Sequence, residues 1–448
     1  MHTKTDLLEG NILKSLILFA IPLIISNLFQ QLYNAADTMI VGHFLGDESL
    51  AAIGACAAVY ELLVGFALGF GNGLSMVVAR SFGVGDKDLL KRAVAGSLVI
   101  GAAVTVGVML IAQIGLRPLL VLLHTPSEII DESYSYIYIV TICVGVMFAY
   151  NLLSGLLRAI GNSFMPLVFL IISSVINIVL DVLFITQFHM GIRGAAVATV
   201  VAQGISAVLC AIYIMKKCKL LIPAREHFEV DGPLYRELTG QGLSMGFMLA
   251  IVSTGTVILQ YAINQLGYLI IAGHTAARKL NSFCTMPLTP LALATATFVS
   301  QNRGADQRDR ILKVVRYAMI LSLGWAIFIT IVIAFAAPAL ITFISGSSES
   351  VVIENGARYL RWNTPFYSVL GILLVLRNVL QGLGKKVVPL VSSIIELIGK
   401  IVFVILFIPT LKYFGVIICE PVIWCLMCIQ LVISYYRDPY IRGKEEKK

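Results

Sequence analysis

The sequence has few charged residues for its length. Asp, Glu, Lys and Arg make up 13% of its 448 residues, whereas a soluble globular domain carries roughly a quarter. Hydrophobic residues make up 58%, and the mean hydropathy is +0.90. The charge is missing from apolar runs of about 20 residues, which are long enough to cross a hydrocarbon core of roughly 30 Å. The composition therefore indicates a polytopic membrane protein and argues against a soluble enzyme or binding domain.

Three further absences narrow the range of possible functions. There is no Walker A sequence, which argues against ATP-driven pumping by this chain alone. No small-residue cleavage site follows a short apolar stretch at the N-terminus, so the first apolar run is expected to be a retained span. Cys425 and Cys428 have CxxC spacing, but no second pair or His cluster accompanies them. The eight cysteines are therefore interpreted as small membrane-compatible side chains, and no metal ligands are predicted among them.

The apolar runs and the basic residues predict the topology. Charged or Gly/Pro-rich breaks leave twelve apolar runs, and the basic residues cluster in alternate connections between them. By the positive-inside rule both termini are cytoplasmic, which requires an even number of spans. The net charge of +8 is thus a topology signal, and no nucleic-acid partner is expected. The predicted runs lie near 14–40, 48–79, 93–115, 134–158, 164–186, 194–215, 240–265, 269–299, 314–344, 357–381, 387–409 and 415–436.

The two halves of the chain resemble each other. "SFGVGDKDLLKRAV" (81–94) aligns with "NRGADQRDRILKVV" (302–315) at an offset of 221, and "AIGNSFMPL" (159–167) aligns with "GLGKKVVPL" (382–390) at 223. Six spans per half is an even number, so the repeats are parallel. We predict an all-α polytopic membrane protein with twelve transmembrane helices in two six-helix bundles, related by a pseudo-twofold axis along the membrane normal. The predicted parts are an N-terminal bundle (1–215), a cytoplasmic linker (216–238), a C-terminal bundle (239–436) and a basic cytoplasmic tail (437–448).

Several motifs resemble those of the multidrug and toxic compound extrusion (MATE) family, at matching spacings over essentially the whole chain. The resemblance implies an antiporter of the cell membrane, which exports amphipathic and often cationic compounds in exchange for H⁺ or Na⁺. The basic loop signature of the major facilitator superfamily, which also has 6+6 spans, is absent. The motifs are "YNAADTMIVGHFLG" (33–46), "SFGVGD" (81–86), "LRAIGNSFMP" (157–166), "NIVLDVLFI" (177–185), "GAAVATVVAQ" (194–203) and "QNRGAD" (301–306).

Two aspartates lie inside apolar runs of the N-terminal half. A carboxylate at mid-bilayer costs roughly 2.5–3.5 kcal/mol on insertion scales, so Asp37 and Asp181 are functional candidates. Asn177 lies one helical turn before Asp181, and Thr199 lies at a similar depth in the sixth run. These oxygens suit a small cation such as Na⁺; alternatively, two buried carboxylates hold a proton near neutral pH. A purely structural alternative is that Asn177 and Asp181 only bond neighbouring helices together.

The resemblance implies that Asp37, Asn177, Asp181 and Thr199 form the cation-coupling site, and that the first helix bends at Pro22. The repeat supports a specialised role without reference to any family. An offset of 221 places Ile258 opposite Asp37, and an offset of 223 places Val404 opposite Asp181. Since neither acid has an acidic counterpart, coupling is expected to be confined to the N-terminal bundle.

Other polar residues in apolar runs are candidates for substrate contact. Glu396 and Lys400 are spaced i, i+4 and are expected to form an ion pair, with Arg278 nearby. Glu61 either attracts cationic substrates or pairs with a base, and Glu420 is expected to pair with Lys412. The predicted substrate cleft comprises Gln30, Tyr33, Asn34, Glu61, Tyr150, Gln260, Tyr261, Arg278 and Glu396.

Two other functions compete with the antiporter. A flippase for a lipid-linked precursor shares the two-bundle architecture, although such proteins usually have extra spans and a strongly basic cleft. A membrane prenyltransferase would need a second aspartate-rich cluster, which this sequence lacks. We therefore expect a monomeric transporter and no enzyme, with no cofactor or metal other than the coupling ion.

Overall fold

The computed structural model describes residues 4–122, 125 and 127–444. This part of the chain is α-helical, with short 3₁₀ turns, one π-helical turn at Phe403–Phe407 and no strand. The helices are α1 (Ile12–Leu45), α2 (Asp47–Val84), α3 (Lys87–Leu122), α4 (Ile130–Ile142), α5 (Val144–Ala159), α6 (Phe164–Thr186), α7 (Ile192–Lys217), α8 (Gly232–Ile263), α9 (Tyr268–Thr285), α10 (Leu288–Gly304), α11 (Arg308–Ser345), α12 (Ser350–Asn363), α13 (Tyr367–Gly382), α14 (Val387–Val402), α15 (Ile408–Leu411) and α16 (Tyr413–Arg437).

The helices account for twelve membrane spans. Eleven stretches of the described chain are long and apolar enough to cross a membrane. Helices α4 and α5 meet at a 45° bend and form the twelfth span when they are taken together. Only helices satisfy all backbone polar groups within a lipid-facing segment, which explains why such apolar runs fold this way. The predicted all-helical, twelve-span fold is confirmed.

The internal repeat is visible in the places where helices begin. Helix α11 begins 221 positions after α3, and α16 begins 221 positions after α7. Helices α13 and α14 begin 223 positions after α5 and α6. Gly46 and Gly267, also 221 apart, precede α2 and α9 with φ of 84° and 97°, a backbone region that favours glycine. Residues at these offsets therefore hold equivalent positions in the two halves.

The chain folds as two compact units. One consists of Met1–Gly10, Ile17–Ala250 and Gly304–Asp306, and the other of Asn11–Leu16, Ile251–Arg303 and Gln307–Lys448. Helix α8 thus begins in the first unit and ends in the second. The division predicted from the sequence, with boundaries at 215, 238 and 436, stays a prediction.

The core of the first unit is built around α2, α5 and α7. Phe70 and Leu74 of α2 are fully buried among side chains of α5, including Leu157. Gly242 of α8 leaves no room for a Cβ against the Phe70 ring, so the two helices approach closely. Helix α7 of this core also packs against α6, and these two helices carry three residues of the candidate cation site.

The predicted linker and tail are both packed against helices. His227 is buried, and its Nε2 lies 3.2 Å from Asp88 Oδ1 at the start of α3. In the tail, Asp438 pairs with Lys385 at 3.0 Å, and the Arg308 guanidinium donates to the carbonyl oxygen of Ile441. The linker and the described part of the tail are therefore ordered elements of their units.

Gly161 is expected to tolerate no side chain. It has φ +88°, and a Cβ there would collide with the carbonyl oxygen of Thr5, whose N–H donates to the Gly161 carbonyl oxygen at 2.9 Å. Gly161→Ala should lower the free energy of unfolding by about 2–4 kcal/mol, through backbone strain and overpacking. The matched control is Gly107→Ala in α3, where no atom lies within 4 Å of the added Cβ. Thermal unfolding in detergent measures both, and equal stability of the two variants would contradict this packing.

Candidate functional site

The fold brings the four predicted cation-coupling residues together in the first unit. Asp37 lies on α1, Asn177 and Asp181 lie on α6, and Thr199 lies on α7. Asn177 and Asp181 are fully buried, and Thr199 is 3% exposed. The packing of α6 on α7 places Thr199 beside Asn177, while α1 supplies the second carboxylate.

A chain of hydrogen bonds connects these side chains. The carboxyl groups of Asp37 and Asp181 lie within hydrogen-bonding distance of each other. With its amide nitrogen turned toward the carboxylate, Asn177 donates to Asp181 Oδ2 at 2.9 Å and accepts from the Thr199 N–H at 3.2 Å. The Tyr33 hydroxyl donates to Thr199 Oγ1 at 3.3 Å. The cluster therefore has fixed positions for five oxygen-bearing side chains.

The two aspartates have no basic partner in the part of the chain that the structure describes. Asp37 Oδ1 and Asp181 Oδ1 are buried, and neither has a hydrogen-bond partner among the described residues. No basic side chain of the described chain forms a salt bridge with either carboxylate. Buried carboxylates are costly unless a partner neutralises them, so this pair calls for a bound proton or cation.

The donor set suits a hard monovalent cation. Carboxylate, amide and hydroxyl oxygens are hard ligands of the kind that alkali cations take. Across the part of the chain that the structure describes, no group of three His, Cys, Asp or Glu side chains forms a metal site. The residues therefore fit Na⁺ or H⁺ and do not resemble a transition-metal centre.

A small cavity adjoins the cluster. It has a volume of about 10 Å³, room for roughly one water molecule, and Tyr33 takes part in its lining. Polar side chains of three helices face it, namely Gln30, Ser173, Ser174 and Gln203. The predicted cleft residues Gln30 and Tyr33 thus lie beside the cation site.

The other predicted cleft residues are dispersed. Asn34 and Glu61 lie at exposed positions on α1 and α2. Tyr150 is 9% exposed and belongs to the hydrophobic core of the first unit, and its assignment to the cleft stays a prediction. Gln260 is exposed and donates to Asn264 Oδ1 at 2.8 Å, while the neighbouring Tyr261 is 68% exposed.

Pro22 is buried inside α1, and the helix is continuous through it. A proline at this position removes one backbone hydrogen bond and is a common cause of helix kinks. The missing backbone hydrogen bond makes α1 easier to bend at Pro22, and the predicted bend stays a prediction.

The second unit contains a different buried charge network. Lys400 donates to Glu396 Oε1 at 2.9 Å, which confirms the predicted ion pair. The predicted pairing of Glu420 with Lys412 is wrong, because Glu420 accepts from Arg278 at 2.8 Å and from the Tyr359 hydroxyl at 2.9 Å. Lys412 lies eight residues before Glu420, about 12 Å along a helix, so it is too distant.

Sequence reasoning missed the tyrosines around the aspartate pair. Tyr60 and Tyr136 both lie near enough to Asp37 to interact with it electrostatically. Tyr60 precedes Glu61 in the sequence, and its interaction with Asp37 was not predicted. A tyrosine in an apolar run is an ordinary packing residue by type, so nothing in the sequence distinguishes Tyr60 from a core residue.

Comparison with known proteins agrees with this architecture. The MatE family model matches residues 22–183 and again residues 245–406, so each half of the chain carries one copy of the domain at the repeat offset of 223. The chain belongs to the MATE family of transporters. The family assignment covers all the cation-site residues except Thr199, which follows the first match.

Relatives and solved structures extend the MATE match over the whole chain. The "Probable multidrug resistance protein YpnP" of Bacillus subtilis is 28% identical over 394 residues, 87% of each protein. The "Probable multidrug resistance protein YoeA" of the same organism is 26% identical over 96% of this chain and 94% of its own. The outward-facing structure of a multidrug resistance MATE transporter of the MOP superfamily superposes with a TM-score of 0.89 at 22% identity, over 99% of both chains.

The bond from Tyr33 to Thr199 gives a test of the MATE cation cluster. Tyr33→Phe removes one neutral hydrogen-bond donor, so the apparent affinity of the proposed cation site should fall by roughly 2- to 10-fold. Tyr138→Phe on α4 is the matched control, since Tyr138 is 38% exposed and packs on Tyr134. The cation dependence of efflux measures both variants; an unaltered dependence in Tyr33→Phe would show that the hydroxyl does not support the site.

Proposed function

We propose that this MATE protein is a cation-coupled antiporter that exports amphipathic, often cationic compounds by alternating access. The exchanged ion is H⁺ or Na⁺, held by Asp37 and Asp181 with Asn177 and Thr199. The protein is proposed to act as a monomer in the cell membrane, with both termini cytoplasmic.

One observation carries the proposal. Two aspartates on different helices lie side by side, Asp37 half-buried and Asp181 fully buried, and each has a buried carboxylate oxygen without a hydrogen-bond partner. A cation bound by the pair would neutralise charge at this contact between α1 and α6. The equilibrium between conformations of these helices then depends on the ion, since a ligand shifts an equilibrium by its differential affinity for the two states.

Antiport requires that ion and substrate favour different states. A cation bound by the aspartate pair stabilises one arrangement of α1 and α6, and a substrate favours the other. Ion binding then lowers substrate affinity by the same factor by which substrate lowers ion affinity. The names of the relatives YpnP and YoeA, both called probable multidrug resistance proteins, support toxic compounds as the exported class.

The test is export from proteoliposomes that contain the purified full-length protein. A fluorescent amphipathic cation is loaded, and a pH gradient or a sodium gradient is imposed separately. We expect one of the two gradients to accelerate efflux and an ionophore that collapses it to remove the acceleration. Efflux at the same rate with either gradient and with none would overturn the antiporter.

A further inference from the structure

The second unit has charged residues at the positions that correspond to the cation site. Helix α14 begins 223 positions after α6, which makes Lys400 the counterpart of Asn177. Helix α16 begins 221 positions after α7, which makes Glu420 the counterpart of Thr199. The same place in the repeated fold therefore carries neutral polar groups in one half and charged groups in the other.

Acidic side chains predominate in the cluster of the first unit, whereas basic side chains predominate in the cluster of the second unit. The first unit has two aspartates and no basic partner in the described structure, as shown above. In the second unit, ion pairs and electrostatic interactions join three bases and two acids into one network with a formal surplus of one positive charge. Its members are Arg278, Arg377, Lys400, Glu396 and Glu420.

Arg377 carries the surplus. Its side chain is 6% exposed, and its Nε and Nη2 atoms have no hydrogen-bond partner among the described residues. Glu396 Oε2 lies 3.6 Å from Nη2, close enough for an ion pair but too far for a hydrogen bond, while Glu396 Oε1 accepts from Lys400. The hydroxyl of Ser393, one turn before Glu396, is also buried without a partner. The network thus has buried donors that lack an acceptor.

We propose that the buried Arg377 guanidinium binds a monovalent anionic group, either the carboxylate of a transported compound or chloride. The planar guanidinium presents parallel N–H groups, the geometry that carboxylates match best. An anion there would balance the net charge of the network and satisfy Arg377. This inference rests on the proposed export function and refines its substrate class, extending it from cations to zwitterions with an acidic group.

The test compares two dyes that differ only in this group. Rhodamine 110 has a free carboxylate, and rhodamine 123 is its methyl ester. Fluorescence polarisation with the purified protein, at equilibrium and without any gradient, measures their affinities. We expect Arg377→Gln to weaken binding of rhodamine 110 by roughly 10-fold or more, the usual weight of a charge-assisted hydrogen bond, and to leave rhodamine 123 unchanged. Arg377→Lys should restore part of the affinity.

A second measurement, with and without chloride, shows whether the bound anion is chloride or the carboxylate of a transported compound. If chloride binds Arg377, replacing gluconate with chloride raises the unfolding temperature of the wild type and of Arg377→Lys, but not of Arg377→Gln. Arg358→Gln is the control, because this exposed arginine lies over Phe414 and outside the network. Equal dye selectivity and equal chloride response in wild type and Arg377→Gln would overturn the proposal. An Arg377-dependent carboxylate preference in wild-type protein whose efflux responds to neither gradient would uphold the anion site while refuting only the proposed coupling.

Discussion

Asp181→Asn is expected to lower ion-driven efflux by about 100-fold, near the upper end of the usual coupling between sites. The substitution keeps the size of the side chain and its place on α6 while removing one of the two buried negative charges. A single remaining carboxylate on α1 binds a cation more weakly, and the occupied and empty states then differ little. Efflux from proteoliposomes under the effective gradient is the measurement.

The matched control for this prediction is Asp131→Asn. Asp131 makes an exposed ion pair with Arg117 at 3.2 Å, with side chains 82% and 63% exposed, and such pairs contribute little. Its efflux should equal that of the wild type. Substrate binding to Asp181→Asn, measured without a gradient, should persist. Gradient-driven efflux by Asp181→Asn at the wild-type rate would refute the role of the aspartate pair.

Glu420→Gln is expected to lower the free energy of unfolding by about 3 kcal/mol. Removing one partner of a buried ion pair leaves the other uncompensated, which typically costs 3–5 kcal/mol. We expect the lower end of this range because the Arg278 side chain is 34% exposed, so its charge is only partly removed from solvent. The Tyr359 hydroxyl also loses its ionised acceptor. Thermal or denaturant unfolding in detergent measures the effect.

A double substitution tests whether this cost comes from the unpaired arginine. Glu420→Gln combined with Arg278→Gln should be more stable than Glu420→Gln alone, since the uncompensated charge is then absent. Additive destabilisation in the double variant would show that Arg278 and Glu420 do not act as a pair. Glu354→Gln, at an exposed position on α12, is the control and should leave stability unchanged.

Asp37 and Asp181 were recognisable from sequence as candidate site residues because carboxylates are the wrong type for apolar runs. A carboxylate in an apolar run has few explanations, and the spacing of Asn177 and Asp181 places both on one face of a helix. The i, i+4 spacing likewise predicts the Glu396–Lys400 ion pair, because such a pair depends only on neighbours within one helix. Local rules sufficed in these cases.

Contacts between helices could not be predicted in the same way. Each residue turns a helix by about 100°, so a small error in a helix's rotation exchanges one facing residue for the next. For this reason the sequence does not predict the interaction of Tyr60 with Asp37. Similarly, the partner of Glu420 is Arg278 on α9, far away in the sequence, and the sequence favours the nearer basic residue Lys412.

The most direct test of the account is to count ions released when substrate binds. Purified protein in weakly buffered detergent solution is titrated with a tightly bound amphipathic cation, and a pH indicator and a sodium-sensitive dye report release. If Asp37 and Asp181 hold the coupling ion, H⁺ or Na⁺ is released in fixed proportion to bound substrate, and the double variant Asp37→Asn/Asp181→Asn releases neither ion. Substrate binding by the wild type without release of either ion, or equal release from the double variant, would contradict it.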